Sequence, residues 1–129
     1  AYYHRWSLSW EAQALLRARM RPTAIFASND DMAAATLAVA HRQKLDVPCD
    51  LSVAGFDDTP LALAVWPALT TVRHPISAMA RKAVELLVEQ IRAKRNRAQQ
   101  KVLHLRHDFT LAMRESTGAP PSRAVRRKA

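Results

Sequence analysis

"AIFASNDDMAAA", residues 24–35, is the stretch whose reading decides the fold. Four apolar residues (Ala24, Ile25, Phe26, Ala27) are followed by four polar ones, Ser28, Asn29, Asp30 and Asp31, and then by a helix-forming run. A short apolar run bounded in this way predicts a buried parallel strand over 24–28, because a half-exposed strand would alternate. A helix is expected over 31–43, with Asp30 and Asp31 at its positive end. The pattern then repeats. "LSVAGF", 51–56, reads as a second buried strand, and Asp57 and Asp58 close it.

Working outward, residues 9–20 predict a helix capped by Ser7 or Ser9, with Ala12, Leu15, Leu16 and Arg19 at helical spacing and Pro22 as its stop. "LDVPCD" reads as a loop. "DDTPLALAVW" opens a short helix, with Thr59 as cap and Pro60 in its first turn. "LTTVRHP", 69–75, is extended. A long helix is expected over 77–95, with one apolar stripe of Ala80, Ala83, Val84, Leu87, Val88 and Ile91. "KVLHLRHDFTLAMRES" reads as one or two strands, and residues 118–129, "GAPPSRAVRRKA", as a disordered basic tail. Alternating helices and strands predict the α/β class with a mostly parallel sheet. "MAAATLAVAHRQKLDVP" could open a helix-turn-helix, but a strand signal and Pro48 stand where a recognition helix would have to start.

Composition narrows the function. A chain of 129 residues that is 49% hydrophobic can bury a core. No run reaches the ~18 apolar residues of a membrane span. The start, "AYYHRWSLSW", has neither an initiator Met nor the features of a signal peptide, so upstream sequence is expected to be missing and the location to be cytoplasmic. The single cysteine, Cys49, excludes an internal disulfide and fits a reducing compartment. The net charge of +9 is spread over separate clusters, Arg17 to Arg21, Arg92 to Lys101 and Arg123 to Lys128. It reads as solvated surface plus a tail in preference to a nucleic-acid footprint. His104 and His107, placed on a strand, would point to opposite faces, so no metal site is expected. No nucleophile motif and no Gly-rich phosphate loop is present, so neither catalytic residues nor a cofactor is expected.

The chemistry concentrates at the two strand ends. In open α/β sheets ligands bind at the carboxyl ends of strands. If the two strands are neighbours, Ser28, Asn29, Asp30 and Asp57 converge. An amide and carboxylates together suit a ligand rich in hydroxyls or amines, such as a sugar or nucleoside, and suit a phosphate poorly. The competing explanation is helix capping by Asn29 or Asp30 and by Asp58. From these residues alone the two explanations stand even.

Four blocks in order, "PTAIFASND", "LDVPCDLSVAGFDD", "PALTTVRHP" and "RHDFTLAMREST", closely resemble the effector-binding domain of lac-repressor-type (LacI/GalR) transcription regulators. The resemblance implies a type I periplasmic-binding-protein-like fold, incomplete and mainly its C-terminal lobe. Residues 1–117 would be a partial effector-binding domain, with helix 77–95 belonging to the N-terminal lobe and the DNA-binding headpiece absent. It implies effector contacts at Asn29 and Asp57. Asp30 and His74 are secondary candidates; a structural or capping role is favoured for Asp30, and Asp58 is read as structural. It implies a homodimer using Ala34, Leu37, Ala38, His41 and Trp66. The partners implied are a small sugar-like or nucleoside-like effector, a second copy, and operator DNA reached only through the missing headpiece, with no membrane. The rival with the same fold is a periplasmic solute-binding protein of a sugar transporter. A sugar-processing enzyme acting through Asp57 is the more distant one.

Overall fold

The computed structural model describes residues 5–95 and 103–120, with 5–9 as backbone only. The elements follow the expected order. They are α1 (Arg5–Arg17), β1 (Ala24–Phe26), α2 (Asp30–Arg42), β2 (Ser52–Phe56), α3 (Leu61–Ala64), β3 (Thr70–Arg73), α4 (Ile76–Arg95) and β4 (Thr110–Ala112). The strands form one sheet in the order β1-β2-β3-β4, in which β1–β2 and β2–β3 are parallel. The chain divides into two compact units, His74–Thr110 and the remainder.

In the larger unit α2 lies between the sheet and α1. Its Ala33, Leu37, Val39 and Ala40 meet Leu51 and Val53 from β2 and its approach, Leu69 before β3, and Ala12 and Leu16 from α1 in one buried cluster. Burying each Leu or Val contributes about 1.5–3 kcal/mol. The C-terminus of α2 is closed by Lys44 in the left-handed region (φ 58°), with Lys44 N donating to the His41 carbonyl and Leu45 N to that of Ala40. This is a Schellman arrangement that usually carries glycine.

Several local expectations change. α1 starts before Ser7 and Ser9, so neither caps it, and Leu15 is half-exposed. β1 is shorter than 24–28 and not buried: Ala24 and Phe26, on one face, are exposed, while Ile25, on the other, is half-buried against the core cluster. The N-cap of α3 is Pro60, and the Thr59 hydroxyl is turned elsewhere. Residues 103–109 are not strand, so the opposite-face argument for His104 and His107 lapses. Among the described residues no cluster of His, Cys, Asp or Glu is placed to hold a metal ion, and no helix is long and apolar enough to cross a membrane. Gly118, expected to begin the tail, is docked: its N–H donates to Ser52 Oγ at 3.1 Å. The tail beyond Pro120 lies outside the described residues.

In the second unit α4 runs for 20 residues and buries none of them. Val84, Leu87, Val88 and Ile91 are all exposed, on one face. Patches of this kind drive association. The 129-residue chain is therefore expected to self-associate in sedimentation, and the pair Leu87→Glu and Val88→Lys to shift it to lower mass. A monomer indifferent to both substitutions would show that this face needs no partner.

Candidate functional site

The parallel pairing of β1 with β2, Phe26 opposite Ala54, brings the carboxyl ends of the two strands side by side. One more bond, Ala27 N to the Ala54 carbonyl at 2.8 Å, carries the pairing past the end of β1. The loops bearing Asn29 and Asp57 therefore leave the same edge of the sheet. Asp57 N in turn donates to the Val72 carbonyl of β3 at 2.9 Å.

Asp30 is the strut beneath this edge. It is 1% exposed, at the first turn of α2, and both its oxygens are engaged. Oδ2 accepts from Thr59 N at 2.6 Å and from Thr59 Oγ1 at 3.0 Å, and Oδ1 accepts from Thr71 Oγ1 at 2.6 Å. One carboxylate thus joins α2, the β2–α3 loop and β3. A buried carboxylate is tolerated only with such bonding, and the helix N-terminus adds to it. Gly55 leaves the room: a Cβ there would stand 2.6 Å from Asp30 Oδ1 and 3.0 Å from Leu69 Cδ2. Both oxygens of Asp30 are thus engaged inward, the arrangement of a structural residue.

Asn29 is the N-cap of α2, its Oδ1 accepting from Met32 N at 2.9 Å. The capping explanation therefore accounts for its carbonyl oxygen, and its amide nitrogen is what it can offer a ligand. Asp57 follows with φ 108° and Asp58 with φ 54°, two successive non-glycine residues in the left-handed region. Each such residue costs about 1–3 kcal/mol and persists only where the surroundings hold it.

Asp58 is held by two arginines. Arg114 Nη2 donates to Oδ1 at 2.6 Å and Arg73 Nε donates to Oδ2, while the Asp58 side chain is 7% exposed. Burial alone would raise its pKa; hydrogen bonds from Arg114 and Arg73, and then their charges, outweigh this and set it below the ordinary carboxylate value. Arg114 is fixed in its own right, Nη1 donating to the Leu69 carbonyl at 2.7 Å and its N–H to Thr70 Oγ1 at 2.9 Å. The segment continues into Ser116, fully buried, whose Oγ donates to the Val53 carbonyl at 2.6 Å and accepts from Thr70 N at 2.8 Å. Thr71, Arg73, Arg114 and Ser116 were not singled out from sequence, and Thr59 was read only as a helix cap. Their partners are 15 to 63 positions away, and the only signals were the third block, which holds Thr71 and Arg73, and the "REST" ending of the fourth.

The remaining candidates separate. His74, half-buried, is the first residue of the second unit. Of the residues assigned to a dimer face, Leu37 is 2% exposed and belongs to the core, because that side of α2 packs on the sheet. Ala34 is half-buried; Ala38, His41 and Trp66 are exposed, Trp66 at 74%.

With this geometry in place, the comparisons with known proteins decide the family. The periplasmic binding protein-like domain family matches residues 1–117. The lactose operon repressor of Rhizobium radiobacter is 40% identical over 81 residues, 63% of this chain and 72% of that protein. The chain belongs to the LacI family. The HTH-type transcriptional regulator GalS of Salmonella typhimurium is 47% identical over 75 residues, 58% of this chain and 22% of that regulator. A solved regulator, CelR in complex with cellobiose, superposes with a TM-score of 0.78 at 30% identity, covering 88% of this chain and 34% of that one. Apart from the lactose operon repressor, the chain spans about a fifth to a third of these LacI-family relatives. They are regulators, which favours the regulator reading over the transporter and enzyme readings.

The lowered pKa of Asp58 has a pH consequence. A carboxyl depressed in the folded state adds stability that is fully present above its unfolded value of about 3.9 and is lost as pH falls through the lower folded value. Urea unfolding from pH 6 down to pH 2 should therefore show Asp58→Asn less stable than the parent at pH 6 and the gap closing in acid. A gap independent of pH would contradict the clamp.

Proposed function

We propose that this chain is the ligand-sensing part of a transcriptional regulator, taking a small sugar-like or nucleoside-like effector at the ends of β1 and β2. The observation that carries the reading is the juxtaposition of Asn29 and Asp57 at adjacent parallel strand ends, on a LacI-family domain. An amide donor beside a carboxylate acceptor matches a hydroxyl, which needs both. That CelR is described with cellobiose bound supports a sugar. His74 is proposed as a further contact on the strength of the resemblance.

Helix 77–95 is proposed to complete an N-terminal lobe, and the effector to bind between lobes and shift their relative populations. A ligand can do so only by binding one arrangement better than the other. Operator DNA would be reached through a separate headpiece, and dimerisation through Trp66, His41, Ala34 and Ala38. The exposed Trp66 supports this, since tryptophan is enriched at interface anchors.

The test is calorimetric titration of the intact gene product with a panel of monosaccharides, disaccharides and nucleosides, repeated on Asp57→Ala. A hydrogen bond to a charged acceptor contributes about 1.5–3 kcal/mol, so the substitution should weaken binding about ten- to a hundredfold with the far-UV spectrum unchanged. Unchanged affinity, or an unfolded variant, would remove Asp57 from the site.

A further inference from the structure

We propose that Arg114 and Arg73 are positioning residues for the effector site, gripping Asp58 so that the left-handed backbone at Asp57 and Asp58 is held and Asp57 is aimed. This deepens the reading of Asp57 as an effector contact and rests on it.

The loop after β2 is fastened at three successive residues. Asp57 N is bonded to the Val72 carbonyl, Thr59 N to Asp30, and the Asp58 side chain to the two arginines. The first two bonds pin the ends. Between them the backbone takes two left-handed turns, at φ 108° and 54°, in residues whose Cβ disfavours that region. Left to itself such a dipeptide relaxes to negative φ, which would swing the Asp57 side chain off the sheet edge. The middle of the loop is restrained by Asp58, and the restraint is directional because one arginine takes each carboxylate oxygen.

The two arms differ in strength. Arg114 is 13% exposed and is anchored at Leu69 and Thr70 before it reaches Asp58, so little entropy is lost in making the contact. The Arg73 side chain is 62% exposed and screened by solvent, so it is the weaker arm. Their places in the chain also matter. Arg73 is the last residue of the larger unit before the chain enters the second, and Arg114 lies three residues after Leu111, where the chain re-enters it. One carboxylate is therefore held from both crossings.

The experiment uses the intact gene product and two readouts. The first is amide hydrogen exchange at Asp57, compared with Ala27, whose N–H is bonded to the Ala54 carbonyl between β1 and β2, in the parent, Arg114→Met, Arg73→Met, Arg114→Met with Asp58→Gly, and Lys82→Met as a control for loss of an exposed cation. Arg114→Met should speed exchange at Asp57 at least tenfold while Ala27 changes less than threefold. Arg73→Met should give a smaller change of the same sign, and Lys82→Met none. Glycine at 58 accepts the left-handed region and should return the double variant to within threefold of the parent. Equal acceleration at Ala27 and Asp57, or no rescue by Asp58→Gly, would reduce the clamp to ordinary stabilisation. If Arg114→Met does not fold, Arg73→Met decides: an unchanged Asp57 rate overturns the proposal. The second readout is titration with cellobiose and with glucose. If either binds the parent, Arg114→Met should weaken it at least tenfold with Lys82→Met unchanged, and equal affinities overturn the positioning role. If neither binds, cellobiose and glucose are excluded as effectors while the exchange data still decide the clamp.

Discussion

The site depends on one buried carboxylate. Asp30 sits at the positive end of α2 and joins, through Thr59 and Thr71, three segments that are distant in sequence. Remove its side chain and the buried Thr71 hydroxyl and the Thr59 N–H lose their acceptor, at about 1–3 kcal/mol for each stranded group. With it in place, α2, the β2–α3 loop and β3 share one origin. The polar residues on either side of Asp30, Asn29 before it and Asp57 across the sheet edge, are then set relative to one another.

A division of labour follows between the paired acidic positions. In each strand-end cluster one carboxylate faces inward and builds: Asp30 after β1, Asp58 after β2. Their neighbours Asn29 and Asp57 are the two residues proposed for the effector, Asn29 through its amide nitrogen, since its oxygen caps α2. On that proposal helix capping and ligand binding are not alternatives, because one cluster can do both with different atoms.

The element order was legible because hydrophobic period and breakers act locally: two short apolar runs, three helical patterns and well-placed prolines specify an α/β chain. The neighbouring of β1 and β2, on which the site rests, stood in the sequence only as a condition, and the parallel pairing of the two strands supplies it. What was not legible is long-range and polar. Nothing near Asp30 indicates that its partners are Thr59 and Thr71, and nothing near Asp58 indicates Arg114, because hydrogen-bond partners leave no periodic trace. The exposure of β1 and the burial of Leu37 were misread for a related reason. Both depend on which elements lie alongside, and an apolar tripeptide looks alike at a sheet edge and in its middle.

The most direct test of the account is a double-mutant cycle between Asp30 and Thr71, using Asp30→Ala and Thr71→Val with urea unfolding as the readout. Groups sharing a buried charged hydrogen bond should couple, and the account predicts an interaction of about 1.5–3 kcal/mol, with the double variant less destabilised than the sum of the singles. Additivity within about 0.5 kcal/mol would contradict it, because Asp30 could not then be the strut that ties α2 to β3.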